Sequence, residues 1–326
     1  MSIEVSRQAP GKVNLFFAVG DAQPNGYHPV ASLYAAVSLY ERVTVSESSL
    51  PGISQSVSIS EDSPLSEMEQ AGDFDLASVP LDERNLAYRA AMAVLDVQGI
   101  SLDSVALHLH MEKAVPVAGG MGGGSADAAA TLLAVNDFLK DSGAVETALS
   151  MERLLEVAAS LGADVPFAVQ GGIAVGLGIG DDLTAVDLPA EIEPLHLVLI
   201  PASFGLSTPA VFAELDRGRA AGEYPLPGEL VVPVGLLDAL QTFSQPRERA
   251  QKIARFIEND LAAPACTLAP ELLDTLCIGE DRALVSFVSG SGPTIVFLME
   301  SADSAKNLEI ELKKRHIFAV AVATLE

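Results

Sequence analysis

Cysteine is scarce in this chain. The 326 residues include only two cysteines, Cys266 and Cys277, and neither belongs to a CxxC pair or to a Cys/His cluster. Their scarcity argues against a disulfide-stapled scaffold and against a structural zinc site. We expect both thiols to be small, buried, hydrophobic groups.

Long hydrophobic runs are also absent. No apolar stretch reaches the roughly 18 residues that a membrane span requires. The first ten residues show no basic segment followed by an apolar one, as a secretory signal would. Because 49% of the residues are hydrophobic, the chain still has ample material for a core. The sequence therefore predicts a globular, cytoplasmic protein without a membrane partner, and it does not decide between a monomer and a weak dimer.

Positive charge is in short supply. Lys and Arg number 19 against 44 Asp and Glu, which gives a formal net charge of −25. The electrostatic field of so negative a protein repels polyanions, so nucleic acids and acidic membrane surfaces are poor partners. Eight acidic residues lie between Glu61 and Arg84, in a stretch that also contains Pro64 and Pro80. This stretch predicts a solvated surface insertion.

Hydrophobic periodicity and turn residues predict strands and helices in a mixed order. Strands are expected at 3–19, 36–47, 104–111, 171–178, 195–200, 283–288, 294–299 and 317–323, and helices at 85–97, 125–139, 150–161, 208–215, 247–259 and 302–314. Because the two types interleave without strict βαβ alternation, the pattern indicates an α+β fold and not a doubly wound sheet. A change of domain is expected around 180–194, where Asp and Pro residues punctuate the chain.

The most informative segment is rich in glycine. From Gly119 to Gly124, five of six residues are glycine, and an alanine-rich helical run from Ala126 to Leu139 follows. Without Cβ atoms, successive amides can approach an anion closely, and a helix N-terminus favours negative charge. The segment 116–126 therefore predicts a phosphate-binding loop.

Neither of the two commonest phosphate motifs is present in this loop. No Lys follows the glycines, so the P-loop pattern is missing, and their spacing does not fit GxGxxG. A flexible linker is the alternative interpretation. An amphipathic strand at Val105–Met111 precedes the loop, and linkers do not usually join a strand directly to a helix. The arrangement favours the phosphate site.

Four other short segments contain residues suited to chemistry: APGKVNL at 9–15, NGYH at 25–28, LGADVPF at 161–167 and SGSGP at 289–293. In this order around the glycine loop, they resemble the GHMP kinase superfamily. The longer segments PGKVNLFF, NGYHPV, PVAGGMGGGSADAA, LGADVPF, STPAVF, END and SGSGPT resemble its branch in the non-mevalonate isoprenoid pathway. The resemblance extends from about residue 7 to residue 297.

The resemblance implies a two-domain α+β GHMP kinase fold. A ribosomal-protein-like, ATP-binding domain would cover 1–185, and an α/β-plait-like domain contributing to the substrate site would cover 186–326. The implied reaction transfers a phosphoryl group from ATP, with Mg²⁺, to the 2-hydroxyl of a cytidine-diphosphate-linked methylerythritol. Asp164 matches the family's general base, and Lys12 would keep that carboxylate ionised and stabilise the transferred charge.

The resemblance also implies the residues that bind ATP. They are Asn85, close to the adenine, and the whole glycine loop: Pro116, Val117, Ala118, Gly119, Gly120, Met121, Gly122, Gly123, Gly124, Ser125 and Ala126. The hydroxyl of Ser125 is able to donate a hydrogen bond to a phosphate, or its oxygen can coordinate Mg²⁺. The chain departs from the family here, since Ala126 stands where a second serine is usual.

A second implied set of residues binds the substrate. It consists of Asn14 near the polyol, Tyr27 and Phe212 as the aromatics that sandwich the cytosine, His28 as the partner of the base edge, Thr208, and Gly290, Ser291 and Gly292 near the diphosphates. Flat aromatic faces suit this task because they lose little entropy when they stack.

Two other functions stay open. A superfamily kinase acting on mevalonate, homoserine or another small alcohol would have no use for Tyr27 and Phe212, because those alcohols have no base to stack. A non-catalytic, nucleic-acid-binding module on a related fold is opposed by the charge of −25 and by the presence of both Lys12 and Asp164.

A metal site is a tempting interpretation of His108, His110 and Glu112, which share one face of a predicted strand. The opposite face consists of Leu107, Leu109 and Met111. This alternation favours an amphipathic strand whose polar side is wet.

Overall fold

The structure of the chain, a computed structural model, describes residues 3–117, 119–242 and 245–325. Ala118, one of the predicted ATP-binding residues, lies outside the described residues. The strands are β1 (Glu4–Val19), β2 (Val30–Glu47), β3 (Gly52–Ile59), β4 (Ala106–Lys113), β5 (Ile173–Leu177), β6 (Asp182–Ala185), β7 (His196–Ile200), β8 (Glu258–Asn259), β9 (Val285–Val288), β10 (Ile295–Met299) and β11 (Val320–Ala323).

The helices are interspersed with these strands along the chain. They are α1 (Pro64–Ala71), α2 (Leu86–Val97), α3 (Gly123–Asp141), α4 (Met151–Leu161), α5 (Val165–Gln170), α6 (Thr208–Ala221), α7 (Val234–Gln241), α8 (Pro246–Ala254), α9 (Ala262–Leu268), α10 (Glu271–Ile278) and α11 (Ala302–Lys314). No helix of the described residues is long and apolar enough to cross a membrane.

The chain divides into two compact units. The first contains the residues up to 11, 39–115 and 122–170, and the second contains 12–38, 116–121 and the residues from 171 onward. The long strands β1 and β2 each contribute one segment to the first unit and another segment to the second unit. The predicted domain division at residue 185 stays a prediction.

The first unit has a sheet covered by helices. Strand β4 pairs in parallel with β3 and antiparallel with the later part of β2. Side chains of β4 alternate between buried and half-buried, so one face of the sheet turns toward the core. Helices α2 and α3 pack against each other through buried alanines, whose small side chains let the helix axes approach closely.

The second unit contains a four-stranded antiparallel sheet in the order β11-β7-β10-β9. Its core joins apolar residues of β7 and β10 with those of α11, among them Val198, Phe297 and Leu312. Elsewhere in this unit, the early part of β2 pairs with β5, and β1 pairs in parallel with β8. The α+β class that the sequence predicts is confirmed.

The pattern-based boundaries differ from the structure at several places, and two of the differences have a clear physical cause. Strand β2 begins at Val30 and not at 36, because Ser32–Ala35 pair with β5. Helix α8 ends at Ala254, short of the predicted 259, because Glu258 and Asn259 pair with β1. In both cases, hydrogen bonding to a distant strand decides the local conformation.

Two predictions about exposure are also corrected. The acidic stretch is not simply a solvated insertion, since it contains α1, where Leu65 is fully buried and Met68 is buried. Cys266 is buried as expected, but Cys277 is exposed near the end of α10. This helix buries only Leu272, so the thiol lies on its outer face.

Candidate active site

The first part of the glycine loop lies in the second unit. The amide of Lys12 donates to the carbonyl of Met121 at 3.0 Å, which ties the loop to β1. Gly120 has a φ of +73°, and a Cβ atom built on it would lie 2.5 Å from the carbonyl oxygen of Gly292. Only glycine fits this position, because an L side chain would be strained and would overlap the backbone. Val117 is exposed at the loop tip.

The second part of the loop starts α3 in the first unit. Gly122 is the N-cap residue, its φ is +73°, and it provides no side chain to cap the helix. Gly124 is exposed and Ser125 is half-buried, whereas Ala126 is buried. The first amides of a helix have no partners within the helix, so this turn can offer them to an anion.

A side chain at position 123 would point inward. The Cβ atom built on Gly123 would lie 3.2 Å from Oε1 of Glu41 and 3.4 Å from a methyl of Val115. The exposed side of the turn is therefore Gly124, whose Cβ atom would lie 3.6 Å from Leu86. The latter distance is an ordinary van der Waals contact.

Three charged side chains are buried beneath this turn. Nζ of Lys113 lies 2.7 Å from Oε1 of Glu41 and also forms an ion pair with Asp127. The amide of Ala114 donates to Oε2 of Glu41 at 2.9 Å. All three side chains are almost inaccessible, with exposed fractions of 3%, 0% and 5% for Lys113, Glu41 and Asp127. We call Glu41, Lys113 and Asp127 the buried charge cluster.

Burial dominates the electrostatics of the buried charge cluster. It raises the pKa of Glu41 to about 8, although Lys113 acts in the opposite direction. Burial also raises the pKa of Asp127. For Lys113, burial lowers the pKa, but the two carboxylates raise it by more, so the ammonium stays charged. One buried cation thus faces two acids, and burial raises the pKa of both carboxyl groups.

Lys12 and Asn14 form a hydrogen-bonded pair on β1. Nζ of Lys12 donates to Oδ1 of Asn14 at 2.8 Å, and it lies 5.5 Å from the ring centroid of Tyr34. Asn14 in turn donates from Nδ2 to the hydroxyl of Ser32 at 2.7 Å. Lys12 and Asn14 are 8% and 1% exposed, so the ammonium is held in a defined position.

The second glycine-rich turn lies against this pair. A Cβ atom on Gly290 would be 2.9 Å from Oδ1 of Asn14 and 3.7 Å from Nζ of Lys12. The hydroxyls of Ser291 and Thr208 are 2.8 Å apart. The structure therefore brings Lys12, Asn14, Thr208 and the Gly290–Gly292 turn together within the second unit.

The predicted base-recognition residues are partly brought together. The ring centroids of His28 and Phe212 are 4.9 Å apart, with a tilt of 35°. Nε2 of His28 lies 2.9 Å from Oδ1 of Asp216. Because an ionised carboxylate only accepts, Nε2 carries the proton, and in a neutral ring Nδ1 is left as an acceptor. Tyr27 is 60% exposed and stands away from the core.

Asn85 and Asp164 belong to the first unit. Oδ1 of Asn85 accepts the amide of Ala87 at 2.8 Å and caps α2, while Nδ2 donates to the carbonyl of Pro80 at 2.7 Å. Asp164 is half-buried between α4 and α5, and its carbonyl accepts the amide of Ala168 at 3.1 Å.

The histidines of β4 contact serines of β3. The hydroxyl of Ser56 lies 2.8 Å from Nε2 of His108 and 2.9 Å from Nδ1 of His110. Ser54 and Ser58 contact the remaining ring nitrogens at 2.9 and 3.0 Å. Every ring nitrogen therefore has a hydroxyl partner. Within the part of the chain that the structure describes, no group of three or more His, Cys, Asp or Glu side chains is arranged to hold a metal ion.

Comparison with known proteins decides the family. The family model for the GHMP kinases N terminal domain matches residues 85–172. A 4-diphosphocytidyl-2-C-methyl-D-erythritol kinase of Pseudarthrobacter chlorophenolicus is 47% identical over 97% of this chain and 91% of its own length. The same-named protein of Paenarthrobacter aurescens is 47% identical over 97% of this chain and 92% of its own length. This chain belongs to the 4-diphosphocytidyl-2-C-methyl-D-erythritol kinase family.

A solved structure supports the same family. A crystal structure described as 4-(cytidine 5'-diphospho)-2C-methyl-D-erythritol kinase is 28% identical, with a TM-score of 0.70, and the match covers 98% of this chain and 99% of that one. The predicted GHMP kinase fold is confirmed. Membership of this kinase family makes the chain a small-molecule kinase with ATP as phosphoryl donor.

Several contacts among these residues escaped the sequence-based interpretation. Asp216 follows Phe212 by one helical turn, so helix spacing could have indicated it as the partner of His28. Asn259, within the END segment, donates to the carbonyl of Gly290 at 2.7 Å. Glu41 occupies a position of β2 between the buried Leu39 and Val43, on the face that the strand alternation assigns to the core, and this was the available signal for the buried charge cluster.

Proposed function

We propose that this chain catalyses transfer of the terminal phosphoryl group of ATP to the 2-hydroxyl of 4-diphosphocytidyl-2-C-methyl-D-erythritol, in non-mevalonate isoprenoid biosynthesis. The observation that supports this most strongly is the 47% identity, over nearly the full length, to a protein named for that substrate. A substrate with a cytidine base also gives a use to the His28–Phe212 pair.

ATP is proposed to bind along the glycine loop. The uncapped first turn of α3 offers backbone amides to the phosphates, and the glycines before it allow close approach. Asn85 lies at the start of α2, next to Leu86, which is a neighbour of Gly124. This placement supports its assignment to the adenine end of the nucleotide.

Mg²⁺ fits the oxygen donors near this turn. It usually keeps several waters and takes few protein ligands when phosphates are present. The half-buried hydroxyl of Ser125, together with the ATP phosphates, is such a set. The ion would neutralise phosphate charge during the transfer.

Phosphoryl transfer needs an oriented alcohol more than covalent help from the protein. We assign Asp164 as the base that accepts the proton of the 2-hydroxyl and Lys12 as the cation that stabilises the transferred phosphoryl group. Burial and the hydrogen bond to Asn14 fix the Lys12 ammonium, which supports this role. The turn Gly290–Gly292, beside Lys12 and Thr208, is assigned to the diphosphate of the substrate.

The cytosine is proposed to stack on Phe212 and Tyr27. Because Asp216 holds the proton of His28 on Nε2, Nδ1 can accept from the exocyclic amine of cytosine. This hydrogen bond would reject a uracil base, which presents a carbonyl at that position. Mevalonate and homoserine have no group for either contact.

The test is a coupled assay of ADP release with ATP, Mg²⁺ and a panel of alcohols. We expect turnover with the cytidine-linked substrate, and at least about tenfold less with its uridine analogue, which leaves the site's acceptor unpaired. Turnover of mevalonate or homoserine instead would establish the alternative superfamily function. If no alcohol is phosphorylated by folded protein, the chain is not a kinase of this class.

A further inference from the structure

Asn259 ties the end of β8 to the turn Gly290–Gly292. Its Nδ2 atom donates to the carbonyl of Val288 at 2.8 Å and to the carbonyl of Gly290 at 2.7 Å. Its Oδ1 atom accepts from the amide of Leu261 at 2.9 Å. Because two carbonyls need donors and one amide needs an acceptor, these partners fix which way the side-chain amide faces. Both protons on Nδ2 are used within the protein.

The strand that contains Asn259 is itself anchored. Asn259 pairs with Phe17 of β1, and the amide of Asp260 donates to the carbonyl of Phe17 at 2.9 Å. The carboxylate of Asp260 accepts the amide of Val19 at 2.8 Å. Asn259 thus connects the turn to β1, which is also the strand of Lys12.

The hydrogen bond from Asn259 to Gly290 decides where the next amide points. A trans peptide group, such as the one between Gly290 and Ser291, directs its N–H opposite to its C=O. Because this carbonyl faces Asn259, the Ser291 amide points to the other side of the turn. Ser291 is only 8% exposed, and among the described residues its amide has no hydrogen-bond partner. Buried amides are nearly always paired, so this amide is suited to a bound acceptor.

The backbone of the turn suits an anion. Gly290 and Gly292 have φ values of +55° and +75°, and Ser291 lies between them without a positive φ. Such alternation of handedness turns successive amides toward one concave side, where anions bind. A Cβ atom on Gly290 would lie 3.7 Å from Nζ of Lys12. The turn therefore combines a backbone donor with a neighbouring cation.

Asn259 also keeps the peptide from turning over. Glycine tolerates most backbone conformations, so the plane between Gly290 and Ser291 can rotate by half a turn at small steric cost. The rotated plane would present the carbonyl oxygen in place of the amide, and its partial negative charge repels a phosphate. Rotation would break the hydrogen bond with Asn259. This hydrogen bond therefore selects the orientation that binds an anion.

We propose that Asn259 is a positioning residue, which holds the peptide between Gly290 and Ser291 so that the Ser291 amide donates to the diphosphate of the substrate. The inference rests on the proposed function, because that function places the diphosphate at this turn. Asn259 does not touch the substrate, since both of its donors bond to the protein backbone. Its loss weakens the binding of the phosphates and leaves the binding of the base unchanged.

Calorimetry with cytidine diphosphate (CDP) and with cytidine separates these two contributions, because only CDP has phosphates. Asn259→Ala removes both donors without adding charge. We expect its Kd for CDP to rise at least about tenfold, the effect of losing a hydrogen bond to a charged group, and its Kd for cytidine to stay within about twofold.

Asn136→Ala is the matched control. Asn136 also bonds to a backbone carbonyl and a backbone amide, both of Leu149, but it belongs to α3 of the first unit. Because changes at distant sites are usually independent, this variant should keep both Kd values within about twofold of the wild type.

A second measurement follows the amide directly. The sequence contains two Gly-Ser pairs, Gly124-Ser125 and Gly290-Ser291. Labelling of glycine carbonyls with ¹³C and of serine amides with ¹⁵N therefore isolates two backbone signals in the magnetic resonance spectrum, and Ser125→Ala assigns them. CDP should move the amide proton of Ser291 downfield in the wild type, and cytidine should not.

At saturating CDP, this shift should be lost in Asn259→Ala. Asn259→Asp keeps the size of the side chain and the acceptor for Leu261, so it serves the same comparison if the alanine variant does not fold. A Ser291 signal that responds to CDP equally in wild type and variant would overturn the proposal. A wild-type Ser291 signal that ignores CDP would do so as well.

The affinities provide further grounds for rejection. An unchanged Kd for CDP in folded Asn259→Ala overturns the proposal. So does an equal loss for CDP and cytidine, which is the result of a purely structural role. A wild-type protein that binds neither CDP nor cytidine would instead contradict the proposed function, because the proposed substrate contains both groups. The two failures are therefore distinguishable.

Discussion

Replacing Gly120 by alanine tests the closest backbone approach in the glycine loop. The added methyl would lie 2.5 Å from the carbonyl oxygen and 3.2 Å from the carbonyl carbon of Gly292. Neither atom can move like the end of a flexible side chain. A left-handed alanine costs about 1–2 kcal/mol, and relief of an overlap in a packed region costs about 1–3 kcal/mol. We expect Gly120→Ala to lose about 2–5 kcal/mol of the free energy of unfolding.

Two glycines of the same chain provide matched controls. Gly143 has a φ of +74° with nothing within 4 Å of its Cβ position, so Gly143→Ala should lose only the strain of about 1–2 kcal/mol. Gly124 lies in the first turn of α3 without a positive φ, and its Cβ atom would make an ordinary contact with Leu86. Gly124→Ala should gain up to about 1 kcal/mol from helix propensity.

Urea unfolding followed by far-ultraviolet circular dichroism measures all three variants, and the slope of each transition reports any change in the surface exposed. The difference between Gly120→Ala and Gly143→Ala isolates the overlap with Gly292. If that difference stays below about 0.5 kcal/mol, which is the usual scatter of neutral surface changes, the close approach of the two glycine turns is refuted.

Three further predictions concern catalysis, recognition and pH. Asp164→Asn and Lys12→Met should each lower kcat at least about 100-fold with little change in KM, and the double variant should lose far less than the product of the two single-variant factors. The exposed Asp182→Asn is the control. Near-normal turnover of Asp164→Asn, equal to that of this control, would falsify the base assignment. Phe212→Ala should raise KM for the cytidine substrate by the equivalent of about 1–3 kcal/mol and leave KM for ATP unchanged. The control Phe204→Ala should leave both KM values unchanged. An equal rise of KM for ATP in Phe212→Ala would contradict the stacking role. Because folding raises the pKa of Glu41 to about 8 from an ordinary 4.5, its contribution to stability is complete below pH 4.5 and is lost as pH rises through 8. Urea midpoints at pH 5 and pH 9 should therefore differ less in Glu41→Gln than in wild type, and an unchanged difference refutes this reasoning.

Much of the fold follows from local patterns. The alternating polar and apolar residues of β4, the alanine-rich α3 and the Gly162 that ends α4 are all visible in the sequence, and each element forms close to its predicted place. Each of these elements buries one regular face, so the periodicity of its apolar residues predicts which residues lie in the core.

The remaining features depend on partners that are distant in the chain. Strand β3 is short and contains Ser54, Ser56 and Ser58, and its pairing with β4 fixes it. Cys277 resembles a buried thiol by composition alone, but its helix has only one buried residue. These placements depend on packing between elements, which a single sequence does not display.

The candidate site likewise contains residues that the sequence indicates and residues that only the structure reveals. Lys12, Asn14 and the turn at Gly290 belong to segments that the family resemblance supplied, and the structure brings them together. Asp216 and the buried charge cluster became visible only through contacts, because no short motif contains them. The roles of Lys12 and Asp164 stay predictions.

The contacts between β3 and β4 have a consequence for proton placement. The hydroxyl of Ser56 has one proton and lies between two imidazoles, so it can donate to at most one of them, and at least one of the two facing ring nitrogens must donate to it. If His110 accepts at Nδ1, its own proton in the neutral ring lies on Nε2, and Nε2 of His108 must then donate to the hydroxyl. The tautomers of the two histidines are therefore not independent.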